Sequence, residues 1–77
     1  MIKSLAEMKT GEQGIIHEIK GGHYAQKNFD DLGIRVNKHI TKISGMFMRG
    51  PITIKIDNTK IAIGFGMASK VFVTVSE

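Results

Sequence analysis

Two chain reversals between residues 29 and 40 limit what this chain can fold into. Gly33 follows a short helical pattern, and glycine adopts positive φ without steric cost, so it fits the position just after a helix C-terminus. Asn37 stands where the chain turns into a β-branched run, and asparagine tolerates the same left-handed region. The stretch therefore predicts a helix stop, a tight corner and a strand start. The residues with structural roles in it are Leu32, Gly33, Ile34 and Asn37.

A chain of 77 residues without cysteine must be stabilised by one small apolar core. Disulfides and thiolate metal ligands are excluded, and 42% of the residues are hydrophobic. No repeat or linker-like segment divides the sequence, so residues 1–77 are expected to form a single domain. The sequence shows neither a signal peptide nor an apolar run near the ~18 residues of a membrane span, which favours a cytoplasmic protein.

Five β-strands are predicted from alternation of apolar and polar residues and from short runs rich in β-branched residues. They cover residues 15–19, 39–44, 52–57, 60–64 and 71–75. In the first strand, the alternation places Ile15, His17 and Ile19 on one face. Asp57-Asn58-Thr59 is typical of a tight turn, so the third and fourth strands are expected to form a hairpin.

One helix is predicted over residues 24–32, because Ala25, Phe29 and Leu32 recur at helical spacing. Packing of Phe29 and Leu32 is expected to hold it, since Asp30 and Asp31 oppose the helix dipole. Residues 66–70 suffice for a single helical turn before the last strand. The expected fold is mainly β: a small SH3-like five-stranded barrel with one short inserted α-helix, closed because open edges of so short a sheet invite pairing.

The order and spacing of glycines and apolar residues carry a resemblance that runs from Leu5 to Val75. The residues concerned are Leu5, Gly11-Glu12, Gly14-Ile15, Ile19, Gly21-Gly22, Phe29, Leu32-Gly33-Ile34, Ile40, Gly50-Pro51-Ile52, Ile61-Ala62-Ile63, Ala68 and Val71-Phe72-Val73. In this pattern the chain resembles the FeoA family (ferrous iron transport protein A). The family's domain also forms the C-terminal part of metal-responsive repressors of the DtxR type. Asn37 replaces the family's usual glycine, and Phe29 stands where leucine is common.

The resemblance implies a non-enzymatic accessory protein of bacterial ferrous iron uptake, without a cofactor. The implied partner is the cytosolic part of a FeoB-type membrane transporter, which carries a GTPase domain. The chain would then be cytoplasmic, and peripheral to the inner face of the membrane when bound. Met1 is expected to be a natural start, so a free-standing FeoA is favoured over a repressor fragment. Self-association stays open as a second mode of interaction.

Two segments are candidate partner-binding sites. The glycine-bounded loop Met46-Phe47-Met48-Arg49 carries residue types that are enriched at interfaces, although Phe47 or Met48 could instead fold back to fill an open barrel end. At the corner after Gly33, residues Arg35, Val36 and Lys38 offer a basic rim to an acidic partner. The alternative there is simple solvation.

Two other functional classes are weighed against this binding module. A transition-metal sensor or chaperone would use His17, His23 and His39, but their spacing does not match H-E-x-x-H, so no metal site is expected. Nucleic-acid binding is suggested by the net charge of +4, yet the lysines are dispersed and the aromatic residues are not interleaved with them.

No enzymatic signature is found in the sequence. The serines lack a G-x-S-x-G context, and a cysteine nucleophile is absent. The glycines at 45 and 50 have the spacing of a phosphate-binding loop, but Pro51 stands where the lysine is needed. The chain is therefore expected to have no catalytic residues.

Overall fold

Antiparallel β-strands form one sheet in the computed structural model, which describes residues 1–45 and 50–75. The elements are β1 (Ile2–Ser4), β2 (Gln13–Ile19), α1 (His23–Asp31), β3 (His39–Gly45), β4 (Ile52–Ile56), β5 (Thr59–Ile63), α2 (Phe65–Ala68) and β6 (Val71–Val75). The strands are ordered β1-β6-β2-β3-β4-β5 across the sheet. The mainly β prediction, with an inserted helix and a helical turn before the last strand, is confirmed. No described helix is long and apolar enough to cross a membrane.

The predicted number of strands is corrected from five to six within the residues that the structure describes. The additional strand, β1, pairs with β6 through Ile2 opposite Thr74 and Ser4 opposite Phe72. Three residues are too few to show an alternating pattern, and their partner strand lies at the other end of the chain. The described pairings also leave β1 and β5 as the two ends of the sheet, so the hydrogen-bonded ladder does not close on itself as a full barrel would.

One apolar core lies against the inner face of this sheet. Its alternating pattern is clearest in β4 and β6, where every second residue is buried because successive side chains point to opposite faces. The buried apolar residues are Leu5, Met8, Ile16, Phe29, Ile34, Ile40, Ile52, Ile54, Ile56, Ile63, Ala68, Val71, Val73 and Val75.

A bulge in β2 changes the face assignment predicted for this strand. The register with β6 shifts between Ile16 and Glu18, which places an extra residue in β2. Ile16 is fully buried and Ile15 is exposed, whereas Ile19 packs against the core beyond the bulge. Ile15 and Ile19 therefore do not share a face, contrary to the simple alternation.

The connection from β1 to β2 is held by a reciprocal capping arrangement and by a buried lysine. The Ser4 amide donates to Glu7 Oε1 at 3.1 Å, and the Glu7 amide donates to Ser4 Oγ at 3.2 Å. Lys42 of β3, only 5% exposed, donates from Nζ to the Met8 carbonyl at 2.5 Å and to the Ala6 carbonyl at 3.3 Å. Burial lowers the pKa of Lys42, which Glu12 partly opposes.

Candidate partner-binding surface

The end of α1 sets the geometry of the predicted corner. Leu32 is the C-cap residue, and Gly33 follows with φ +82. The Gly33 amide donates to the Asp30 carbonyl, and the Ile34 amide donates to the Phe29 carbonyl, each at 2.9 Å. These two bonds form a Schellman motif, which satisfies carbonyls that a helix end leaves open. The left-handed stop predicted at Gly33 is thus present.

The core contacts at this helix end differ from the prediction in one residue. Phe29 is buried as expected, but Leu32 is 39% exposed, and Ile34 is buried instead. The reason is that α1 ends at Asp31, and the left-handed residue after the C-cap turns the chain so that the residue following Gly33 points inward. Leu32 is therefore available to a partner, while the Phe29–Ile34 pair anchors the corner.

A second tight turn joins the corner to the sheet. The Lys38 amide donates to the Arg35 carbonyl at 3.2 Å, and Asn37 has φ +74, the left-handed conformation expected for it. The Asn37 amide donates to the Ile16 carbonyl at 2.8 Å, and the Ile16 amide returns a bond to the Lys38 carbonyl at 2.9 Å. The turn is therefore fixed to β2, with Val36 at its tip and 48% exposed.

Both basic residues of the corner form ion pairs with aspartates. Arg35 Nε lies 2.6 Å from Asp30 Oδ1, and Arg35 Nη2 donates to the Asp30 carbonyl at 3.2 Å. The hydrogen bond from Arg35 Nε to the Asp30 carboxylate raises the pKa of Arg35. Lys38 Nζ lies 2.7 Å from Asp57 Oδ2. The basic rim predicted from the sequence is thus locally neutralised. The Arg35 guanidinium also offsets the unfavourable interaction of the Asp30 carboxylate with the helix dipole.

We call the exposed residues Leu32, Arg35 and Val36, together with the half-buried Lys38, the corner surface. Two apolar side chains are exposed on a fixed backbone, and each neighbouring cation is already held in place by an aspartate. Such an arrangement has the composition of a small protein-binding patch, with an apolar centre and a polar rim. The corner surface would therefore bind a partner through apolar contact and shape complementarity more than through net charge.

The sequence of this chain matches the family model of the FeoA domain over residues 3–75. The chain belongs to the FeoA family. A relative from Methanocaldococcus jannaschii, named "Putative Fe(2+) transport protein A", is 33% identical over 73 residues, which cover 95% of this chain and 87% of that protein. The resemblance inferred from the glycine and apolar pattern is confirmed.

Solved structures of FeoA and of repressors share the fold of this FeoA chain. A crystal structure of an iron uptake regulatory protein, FeoA, has a TM-score of 0.92 at 33% identity, covering 99% of this chain and 100% of that chain. A manganese-dependent transcriptional repressor has a TM-score of 0.90 at 18% identity, covering 97% of this chain but 42% of its own. The second likeness concerns the fold alone. The predicted SH3-like fold class is confirmed.

The second predicted contact segment of this FeoA chain, Met46, Phe47, Met48 and Arg49, lies outside the described residues. The structure describes the β3 end at Gly45, which pairs with Ile52 of β4. The prediction for the loop therefore stays a prediction.

The histidines of this FeoA chain are exposed and start from different elements. His17 lies in β2, His23 begins α1 and His39 begins β3. Within residues 1–45 and 50–75, no group of three or more His, Cys, Asp or Glu side chains is arranged to hold a metal ion. The metal-sensor alternative gains no support from the described part of the chain.

The described aromatic residues do not form a platform for stacking bases. Phe29 is buried, and Phe72 is half-buried with Lys20 Nζ 4.8 Å from its ring centroid. Tyr24 is 82% exposed at the start of α1. Phe65, in α2, packs against the core, so the four described aromatic residues lie on separate elements and do not supply the row of rings that single-stranded nucleic acid requires.

The buried Lys42 is a feature that the sequence prediction missed. Its position two residues after Ile40 in an alternating strand places it on the core face, which is the signal that could have revealed it. Ser4 and Ser69 form local hydrogen bonds: Ser4 Oγ accepts from the Glu7 amide at 3.2 Å, and Ser69 Oγ donates to the Gly66 carbonyl at 2.7 Å.

Proposed function

We propose that this FeoA chain is a non-enzymatic accessory protein of ferrous iron uptake. In this proposal it binds the cytosolic part of a FeoB-type membrane transporter, modulates uptake, and is cytoplasmic except when docked at the inner face of the membrane. The observation that carries the proposal is the 33% identity to an Fe(2+) transport protein A along 95% of the chain. The FeoA crystal structure, matched over the full length of both chains, supports the same assignment.

Binding, rather than catalysis, agrees with how the polar side chains are used. Ser4 and Ser69 form short-range structural hydrogen bonds, and Asp30 and Asp57 each hold a neighbouring cation. A nucleophile needs a positioned base, and an acid–base pair needs groups free to exchange protons. These four side chains are committed to holding turns and helix ends in place.

The corner surface is the proposed docking site on the described part of the chain. Val36 and Leu32 present apolar area on a backbone fixed by the Schellman motif and by the bonds to Ile16. A rigid anchor loses little conformational entropy on binding, so its buried area contributes more fully to affinity. The ion pairs of Arg35 and Lys38 lie on the rim, where they influence orientation and on-rate more than affinity.

The test is a calorimetric titration of this protein with the isolated cytosolic region of the FeoB-type transporter, with and without guanine nucleotide. Wild-type protein is expected to bind saturably. Val36→Asp should weaken binding at least about tenfold, because it buries a charge at the centre of the interface. Ile2→Asp is the matched control, since Ile2 is 51% exposed in β1, and it should change affinity by less than about twofold.

The outcomes separate the partner from the surface. Absence of saturable binding by wild-type protein in both nucleotide conditions would contradict docking on the cytosolic region. Saturable binding that Val36→Asp leaves unchanged would keep the partner and reject the corner surface as the site. Circular dichroism of each variant establishes that a lost signal reflects the contact and not unfolding.

A further inference from the structure

The outer face of the sheet carries a polar groove whose lining residues all lie outside the corner surface. Its volume is about 410 Å³, and it crosses strands β2, β3 and β4 and the turn that follows. The lining residues are Gln13, His39, Thr41, Lys55, Asp57 and Asn58. Gln13 pairs with Thr41, and Thr41 pairs with Lys55, so one rung of the sheet forms the floor.

The same rung continues into an unfavourable pair of like charges. Lys55 of β4 lies directly opposite Lys60 of β5, and both side chains are exposed. The turn between these strands has two central residues with positive φ, Asp57 at +50 and Asn58 at +65, as in a type I′ hairpin. Ile56 and Thr59 flank it as the hydrogen-bonded pair, so the lysines occupy the next, non-hydrogen-bonded pair, where side chains come closest.

No described carboxylate neutralises this lysine pair. Asp57, the one acidic side chain in the groove, is bound to Lys38 Nζ at 2.7 Å, and neither Lys55 nor Lys60 forms an ion pair within residues 1–45 and 50–75. Like charges directly opposite each other on a sheet are destabilising. Folding therefore places two lysines directly opposite each other beside the groove, and Asp57, the groove's one carboxylate, is paired with Lys38 and not with either of them.

Protection of the sheet edge explains only one of the two lysines. Lysines on an edge strand discourage pairing with another chain, and Lys60 lies in β5, an edge of the described sheet. Lys55 lies in β4, which pairs on both sides, with β3 and β5. A second lysine at that position adds repulsion without protecting any edge.

We propose that this groove binds a phosphate group, with Lys55 and Lys60 as its cationic contacts. A phosphate dianion would neutralise both ammonium groups with charge-assisted hydrogen bonds. The Thr41 hydroxyl, the Gln13 amide and the His39 imidazole can donate further hydrogen bonds from the floor and wall. The ligand is a free phosphate ion or a small phosphate monoester. This site adjoins the corner surface through the Lys38–Asp57 ion pair but shares no residue with it, and it does not rest on the proposed transporter partner.

The test follows backbone amide shifts by NMR during titration with sodium phosphate at neutral pH, with sodium chloride keeping ionic strength constant. Gln13, Thr41, Lys55 and Lys60 are expected to shift saturably with phosphate and not with chloride alone. Glycerol phosphate forms the second arm. Tighter binding than inorganic phosphate would identify a monoester as the ligand, and weaker binding would identify the free ion.

Variants of the two lysines, with a control lysine elsewhere, test whether these side chains bind the phosphate. Lys55→Gln and Lys60→Gln should each weaken phosphate binding at least about tenfold, because each removes one of two charges. Lys27→Gln removes a lysine from exposed α1 and should leave binding within about twofold of wild type. Lys60→Arg keeps the charge and should retain binding, which separates loss of charge from misfolding.

Two results would contradict phosphate binding in this groove. The first is shifts that grow linearly with phosphate, or that match those in chloride, since both indicate general screening. The second is a saturable response that Lys27→Gln weakens as much as Lys55→Gln, since this indicates diffuse attraction to a basic protein.

Discussion

The amide N–H of Ile34 donates to the carbonyl of Phe29 across 2.9 Å, and both side chains are only 1% exposed. The same pair of residues thus closes the backbone at the end of α1 and fills the core beneath it. Hydrophobic contact between these two positions commonly accompanies a Schellman motif. The corner surface is rigid because its first residue, Leu32, and its turn residues are held between this anchor and β2.

Gly33→Ala is expected to destabilise the protein by about 1 kcal/mol, because alanine is strained at φ +82. A Cβ at Gly33 would meet no atom within 4 Å, so the cost is one of backbone conformation and not of collision. Gly66→Ala in α2 is the matched control: it also has open space, and at negative φ it should stabilise by about 0.5 kcal/mol. Urea unfolding measures both, and equal signs would contradict the left-handed stop.

Lys42→Ala is expected to destabilise by about 2 kcal/mol, because it removes the donor to the Met8 and Ala6 carbonyls and leaves a gap in the core. Lys42→Met should cost less, since methionine fills most of the same space without the bonds. Chemical denaturation of both variants tests this. A cost below about 0.5 kcal/mol for the alanine variant would show that the buried amine does not hold the β1–β2 connection.

The lowered pKa of Lys42 predicts a specific dependence on alkaline pH. Burial disfavours the ammonium form in the folded state, so the unfolded state binds more protons between the folded pKa and the ordinary value of 10.5. The free energy of unfolding therefore gains a contribution that rises with pH through this window. The difference between wild type and Lys42→Met should shift in favour of wild type as the pH approaches 10.5, and a flat difference would contradict it.

Glu12 predicts loss of stability in acid. The Lys9 amide donates to Glu12 Oε1 at 2.8 Å, and Lys3 Nζ lies 3.0 Å from Oε2; these contacts lower the pKa of Glu12 below its ordinary 4.5. Its contribution is fully present above 4.5 and is lost as pH falls through the folded pKa. The stability difference between wild type and Glu12→Gln should shrink with acidification below 4.5. A difference that stays constant down to the acid transition would reject this coupling.

Lys60→Glu is expected to raise stability by a few tenths of a kcal/mol, because it replaces a like-charge pair with an opposite-charge pair across β4 and β5. Thermal and urea unfolding give the change, and 1 M salt should reduce it by screening. Lys27→Glu on exposed α1 controls for the change in net charge. A Lys60→Glu variant less stable than wild type would show that the two ammonium groups do not repel each other in the folded protein.

The local features of this fold are those that the sequence could predict. Gly33 and Asn37 both have positive φ. Few residue types tolerate that conformation, so a glycine and an asparagine at these two turns were a usable signal in the sequence. The strand predicted over residues 71–75 has the bounds of β6, because this short run is rich in β-branched valine. Each of these features is determined by residues close together in the sequence, so it could be predicted without knowing the tertiary structure.

Features that depend on distant residues were not predictable in the same way. β1 forms by pairing with β6, and the β2 bulge is a shift in register between β2 and β6, so both depend on a strand at the far end of the chain. The Lys38–Asp57 ion pair joins residues 19 positions apart, so the neutral rim of the corner surface follows only from the tertiary arrangement. One local signal for the connection between β1 and β2 was present and not used: Ser4-Leu5-Ala6-Glu7 has the residue spacing of a capping box.

Mapping the contact by NMR tests the central claim of a transporter-docking FeoA chain most directly. Uniformly ¹⁵N-labelled protein would be mixed with the unlabelled cytosolic region of the FeoB-type transporter. Docking through the corner surface predicts loss of amide signal concentrated in residues 32–38, with Lys55 and Lys60 on the outer face largely unaffected. An unchanged spectrum at saturating partner, or signal loss confined to residues outside 32–38, would contradict the account.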